Sequence, residues 1–225
     1  MKTPSLYIKH FRIACKYNNI FSIFDLHELS SLLQKMGYII MRPLPPPRFG
    51  ARAIFKGNIA RKQGKIVVDV NSEKNIIGVF SQDPQLAVNE FINIEDTFKK
   101  EVLINLKPHF YEVLVEAEFF TSQNPLNIIS KVGEEVNVLK ELNKIMGDTT
   151  LFGLRFRRKN QNPDSPEWLD IKILPSIIRA DKAYLIQIVF RSKNRKKATS
   201  FGEKTMKYIT DIVNCLEQQV LNKTP

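Results

Sequence analysis

The sequence predicts an α+β fold built as a tandem duplication of two β-α-β-β-β-α halves, residues 1–106 and 107–225, forming one pseudo-twofold globular unit. Three observations predict it. Apolar residues alternate with period two over several short stretches and recur at helical spacing over longer ones. The order of these stretches is the same in both halves. A shift of 103 residues lays Phe49-Gly50 on Phe152-Gly153, Arg52 on Arg155, Lys56 on Lys159, and Ile66, Val68 and Val70 on Leu169, Ile171 and Ile173. Antiparallel strands with every helix on one side give a curved sheet whose other face is open to solvent or a partner.

In the first half a strand is expected over 5–17, then a helix near 25–36 with Phe24, Leu26, Leu29, Leu32, Leu33 and Met36 at helical spacing. Asp25 is its expected N-cap and Gly37 its stop. The run RPLPPPRFG, residues 42–50, is too proline-rich for a central strand and reads as a stiff extended connection. Strands are expected at 51–60, 65–71 and 75–81, with turns at Lys62-Gln63-Gly64 and Asn71-Ser72-Glu73. A helix follows over 84–104, with Pro84 in its first turn and Leu86, Phe91, Ile94, Phe98 and Val102 as its apolar stripe.

The second half opens with HFYEVLVEAEFFT, which places Tyr111, Val113, Val115, Ala117 and Phe119 on one face of a strand and Glu112, Glu116 and Glu118 on the other. One helical stretch is expected over 125–146, then strands at 150–159, 167–175 and 183–191, a flexible basic loop at 190–204 and a closing helix near 203–221.

The formal charge of +11 is unevenly placed. Residues 42–65 hold seven basic residues and no acid, and residues 151–210 hold fourteen basic against five acidic, so the rest of the chain is net negative. Concentrated positive charge favours an anionic partner such as nucleic acid. No apolar run matches a signal peptide or a membrane span, so a cytoplasmic protein with no membrane partner is expected. Cys15 and Cys215 lack redox or zinc spacing and read as buried small hydrophobes.

The phrase ProArgPheGlyAlaArgAlaIlePhe at 47–55, with the order of elements, resembles the TATA-binding-protein fold, a duplicated saddle with helices on its convex side. The resemblance implies DNA binding through phenylalanine wedges from the sheet. It would place Phe49 and Phe152 at one wedge position of each half, with Ile66 and Leu169 at the other, where the family has phenylalanine. Parity opposes that use of Phe152: if it faced the partner, Arg155, Arg157 and Lys159 would lie beneath the helices, a costly burial of three cations. The cheaper arrangement makes Phe152, Leu154 and Phe156 core and puts the arginines on the open face.

The expected phosphate-binding set is therefore Arg52, Lys56, Arg155, Arg157, Lys159, Lys172 and Arg191 on the sheet, with Arg195, Lys196 and Lys197 in the basic loop. Glu112, Glu116 and Glu118 would cancel that face if their strand adjoined 150–159. The three histidines His10, His27 and His109 have no metal-ligand spacing, and there is no phosphate-binding glycine loop. The expectation is a non-enzymatic protein without metal or cofactor that binds the backbone of DNA or RNA. A protein-interaction module, or an enzyme with a cleft between the halves, are the competing readings.

Overall fold

In a computed structural model, residues 5–18, 23–42, 44, 54–101, 107–134 and 136–222 are described. The first half contributes β1 (Ser5–Tyr17), α1 (Ile23–Lys35), β2 (Ile39–Ile40), β3 (Lys56–Lys62), β4 (Ile66–Asn71), β5 (Ile76–Ser81) and α2 (Pro84–Glu101). The second contributes β6 (Pro108–Phe120), α3 (Pro125–Glu134), α4 (Asn137–Met146), β7 (Leu154–Arg157), β8 (Trp168–Pro175), β9 (Ala183–Ser192), α5 (Arg195–Glu203) and α6 (Thr205–Leu221).

All strands join one antiparallel sheet in the order β2-β3-β4-β5-β1-β6-β9-β8-β7. The long β1–β6 pair forms its middle, with Ile13 opposite Val113. Outward from that pair the order is β5, β4, β3 on one side and β9, β8, β7 on the other, so the sheet reads alike from its centre in both directions. β2 is a further edge strand of two residues in the first half.

Strand alternation sorts the side chains. On one face Phe11, Ile13, Tyr17, Tyr111, Val113, Ala117, Ile186 and Ile188 are buried under α2, α5 and α6. The helices come close where α5 crosses α2: a Cβ on Gly202 would lie 2.7 Å from Val88 and 3.1 Å from Phe11, so this crossing needs a residue without a side chain. Burying so continuous a layer of aliphatic and aromatic groups is the main force holding sheet to helices.

The two principal helix starts are built alike. Ser81 Oγ accepts from Asp83 N and Asp83 Oδ1 from Leu86 N before α2; Ser192 Oγ accepts from Asn194 N and Asn194 Oδ1 from Lys197 N before α5. Each side chain satisfies one of the amides left without a partner at a helix start.

Several boundaries differ from the sequence expectation. α1 begins at Ile23, so Asp25 lies within it, whereas Gly37 ends the first helix region in the left-handed conformation (φ 82°). The stretch 125–146 forms two helices rather than one, and 190–204 is no flexible loop, because α5 occupies Arg195–Glu203. β3 starts at Lys56 and β7 is confined to Leu154–Arg157, leaving Lys159 in a turn. Phe152 and Phe156 are not core: they are 60% and 49% exposed, because the helix layer does not extend over this edge of the sheet. Cys15 is buried as expected, but Cys215 is exposed.

Candidate functional site

The face opposite the helices carries polar side chains from almost every strand. Parity puts Lys56 and Arg61 of β3, Asp69 of β4, Arg12 of β1, Glu112 and Glu116 of β6, Arg191 of β9, Asp170 and Lys172 of β8, and Arg155 and Arg157 of β7 on this side. The expected orientation of β7, with arginines away from the helices, is what the structure has.

The centre of the face is a chain of ion pairs. Arg12 holds Asp69 by two bonds, Nε to Oδ1 at 2.9 Å and Nη2 to Oδ2 at 2.7 Å, and its Nη1 lies 4.0 Å from Glu112. Glu112 also pairs with Arg191, whose Nη1 donates to the carbonyl of Pro163 at 2.6 Å and whose guanidinium lies 5.0 Å from the centre of the Phe110 ring. Glu116 accepts from Gln187 at 3.0 Å. Glu118 takes the Ser176 hydroxyl at 2.6 Å and the Lys9 ammonium at 2.9 Å. Burial alone would raise the Glu118 carboxyl, but the Ser176 and Lys9 contacts outweigh it and hold its pKa below the ordinary value. Packing is tight here too: a Cβ on Gly78 would lie 2.5 Å from Asp69 Oδ1.

The glutamates therefore neutralise part of the basic face, by a different route from the one expected. β6 lies between β1 and β9, and β7 is at the far edge. Glu112 takes Arg12 and Arg191 instead, while Arg155 binds Asp170 on β8 at 2.9 and 2.7 Å. Asp69 and Asp170 were missed as partners although each sits at an open-face position of an alternating strand, which was the available signal.

The remaining expected site residues divide three ways. Arg52 and Phe49 lie outside the described residues. Lys56, Arg157, Lys159 and Lys172 are exposed and form no ion pair with a described residue, as do Lys196 and Lys197 on the first turn of α5. Arg195 is turned inward, on the first turn of α5 instead of in a loop. Its Nη1 bonds Asp96 at 2.6 Å, its Nη2 donates to the carbonyl of Ile92 at 3.1 Å, and its Nε is 2.9 Å from Glu95 Oε2. That last approach is ionic, since Oε2 takes no hydrogen bond. Of the wedge positions, Ile66 is fully buried on the helix side and Leu169 shares that side, so neither lies on the open face. Phe152 stands exposed just before β7.

Glu95 is a buried carboxylate that sequence reading passed over. It is 3% exposed, and around it the hydroxyls of Tyr111 and Tyr17 donate at 3.0 and 3.4 Å and Lys99 at 2.7 Å. Burial, followed by the negative charge of Glu95, drives the Tyr111 pKa upward, and burial does the same to Tyr17 and Cys15. This cluster is sealed beneath α2 and α5 and ties the two halves together. Its tyrosines and thiol are protonated at neutral pH, which suits structural donors and not nucleophiles.

A concavity of about 540 Å³ lies at the first-half end of the open face, between the β3–β4 turn and the start of α2. A second, of about 360 Å³, is lined by Arg155, Arg157, Pro163, Trp168 and Asp170 at the opposite edge. Among the described residues no group of three or more His, Cys, Asp or Glu side chains could hold a metal ion, and no helix is long and apolar enough to cross a membrane. The fold and this face define an open-faced α+β protein. No family model matches the chain, and no curated protein matches it.

Proposed function

We propose that this is a non-enzymatic, cytoplasmic nucleic-acid-binding protein that holds the phosphate backbone of DNA or RNA through the outer part of its open face. The same proposal takes its two halves as a duplication with the saddle architecture of the TATA-binding-protein fold. The observation carrying the binding reading is that Arg157, which lines the second concavity, Lys172 on the adjoining strand and Lys159 in the turn after β7 are exposed with no carboxylate partner among the described residues. The central cations are already committed to Asp69 and Glu112, so the grip belongs at the flanks. Such contacts position a backbone without reading bases. The duplication is supported by a strand order that reads alike outward from β1–β6 and by the matching Ser-x-Asp and Ser-x-Asn helix starts.

The test is fluorescence anisotropy with a labelled random-sequence duplex. Three phosphate contacts predict a loss of about 40-fold in affinity between about 50 and about 200 mM salt. Charge reversal of Arg157, Lys159 and Lys172 should remove most binding, and absence of binding at low salt refutes the reading. One observation favours a protein-docking role instead. Val138, Leu142, Ile145 and Met146 make an apolar stripe on α4, and no residue of that helix is buried. Under that reading the charge reversals leave the protein's binding partner unaffected.

A further inference from the structure

The concavity at the first-half end of the open face has a lining suited to a planar heterocycle. Its floor is Val67 and Phe80, with His10 beside Phe80 at a ring-centre distance of 5.5 Å and a tilt of 40°. Gln82 stands at its rim, with its amide nitrogen donating to the hydroxyl of Tyr7, an aromatic residue 50% exposed. Two rings thus line a space whose volume, about 540 Å³, lies inside the usual range for small-ligand pockets, and a third, Tyr7, is tied to its lining through Gln82.

Among the charges that line this space the unpaired one is positive, while Glu116, the register partner of His10, accepts from Gln187. Asp83, the acid of the lining, is committed to capping α2 through its bond from Leu86 N. Glu118 is already held by Lys9 and Ser176. Lys65 lines the pocket, and Arg61 is the register partner of Val67 in its floor; both are exposed and neither pairs with a described carboxylate. Burial, and then the charge of Arg12, lower the His10 pKa, so its ring is neutral at pH 7 and presents a stacking face without a cation's hydration.

We infer that this pocket takes one unstacked base of a single-stranded nucleic acid, with Phe80 and His10 stacking on the base and Lys65 and Arg61 meeting its phosphate. The inference rests on the nucleic-acid reading and narrows it, since a base stacked and paired inside a duplex has no free face to offer Phe80 and His10. Stacking on aromatic side chains is tolerant of sequence, because every base has a π-face. The pocket therefore supplies affinity for strand form without a base code.

The test compares a labelled single strand with the duplex of the same sequence, and follows amide shifts on adding AMP or CMP. The single strand should bind at least about tenfold more tightly than the duplex, and Phe80→Ala should weaken it about tenfold. Phe80 supports the sheet, so the paired variant Arg61→Gln/Lys65→Gln, confined to exposed side chains, gives a second reading free of folding effects. It should weaken single-strand binding several-fold, and AMP should shift the amides of Gly64, Val67 and Phe80 in the unaltered protein. Duplex binding with no preference for the single strand overturns the pocket and leaves the backbone reading intact. Nucleotide shifts at the pocket without binding of either polymer keep the pocket as a nucleotide site and overturn the backbone reading. Neither shifts nor polymer binding overturns both.

Discussion

Replacing Arg195 by Met separates a structural cation from a phosphate-binding one. Met keeps an apolar stem of similar length and removes the guanidinium that meets Glu95, Asp96 and the Ile92 carbonyl. Glu95 would stay 3% exposed with its charge less compensated. Removing one partner of a buried pair costs about 3–5 kcal/mol. Lys99, Tyr111 and Tyr17 remain around the carboxylate, which places the expected loss at the low end, about 3 kcal/mol. For a chain of this size that corresponds to a fall in Tm of about 6–12 °C. Thermal and urea unfolding followed by circular dichroism measure it, together with Glu95→Gln and the double variant. The double variant should recover part of the loss, with a coupling energy above about 1.5 kcal/mol. A fall in Tm below about 2 °C, or a coupling energy within about 0.5 kcal/mol of zero, would show Arg195 behaving as an ordinary solvated cation and would refute the reasoning.

Other consequences follow from particular side chains. In the native protein a thiol reagent at pH 8 should modify Cys215 rapidly and leave Cys15 unreacted, because burial excludes the reagent and pushes the Cys15 pKa far up; two equally fast thiols would contradict this. Gly78→Ala should destabilise by about 2 kcal/mol in urea unfolding, since its Cβ would collide with both members of the Arg12–Asp69 pair, and an unchanged midpoint would contradict this. The double change Val138→Ser/Ile145→Ser should move stability by less than about 0.5 kcal/mol, as both side chains are already in water; a loss above that would mean α4 is packed. The His10 ring should titrate below 6.5 by NMR, and because its folded pKa is depressed, the stability it contributes is present above pH 6.5 and lost as pH falls through the lower value. His10→Gln should therefore flatten the acid side of the stability profile, and an unchanged profile would exclude that contribution.

The order of strands and helices was legible because strand alternation and helical spacing are local properties of the chain. The facing of β7 was legible for the same reason: with a period of two, placing Arg155 and Arg157 away from the helices fixes Leu154 and Phe156 on the other side. Burial was not, since it depends on how far a distant helix reaches, and over Phe156 none does. The basic stretch 190–204 was misjudged because its charge obscured its helix start. Ser192-Lys193-Asn194 repeats the pattern of Ser81-Gln82-Asp83 at a shift of 111 residues, and the side-chain bonds made by the two are the same. That comparison was available in the sequence and would have put a helix at Arg195.

Sheet order decides the electrostatics, and here the sequence was mute. Arg12 and Arg191 are both far from Glu112 in the chain, and only the β1–β6–β9 adjacency brings Glu112 between them. A positive formal charge is thus split into cations consumed within the fold and cations left over. Arg12, Arg191, Arg155 and Arg195 belong to the first kind, each with a carboxylate within 3 Å on another element. Lys172, Arg157, Lys65 and Arg61 belong to the second, and they lie on outer strands and on the turn between two of them rather than at the centre. An anionic polymer meeting this face would be drawn to its two flanks, where the two concavities also lie. The centre would act as a spacer of fixed width. Binding energy should then depend on a ligand long enough to reach both flanks, and a strand too short to span β1–β6 should lose affinity more than in proportion to the phosphates removed.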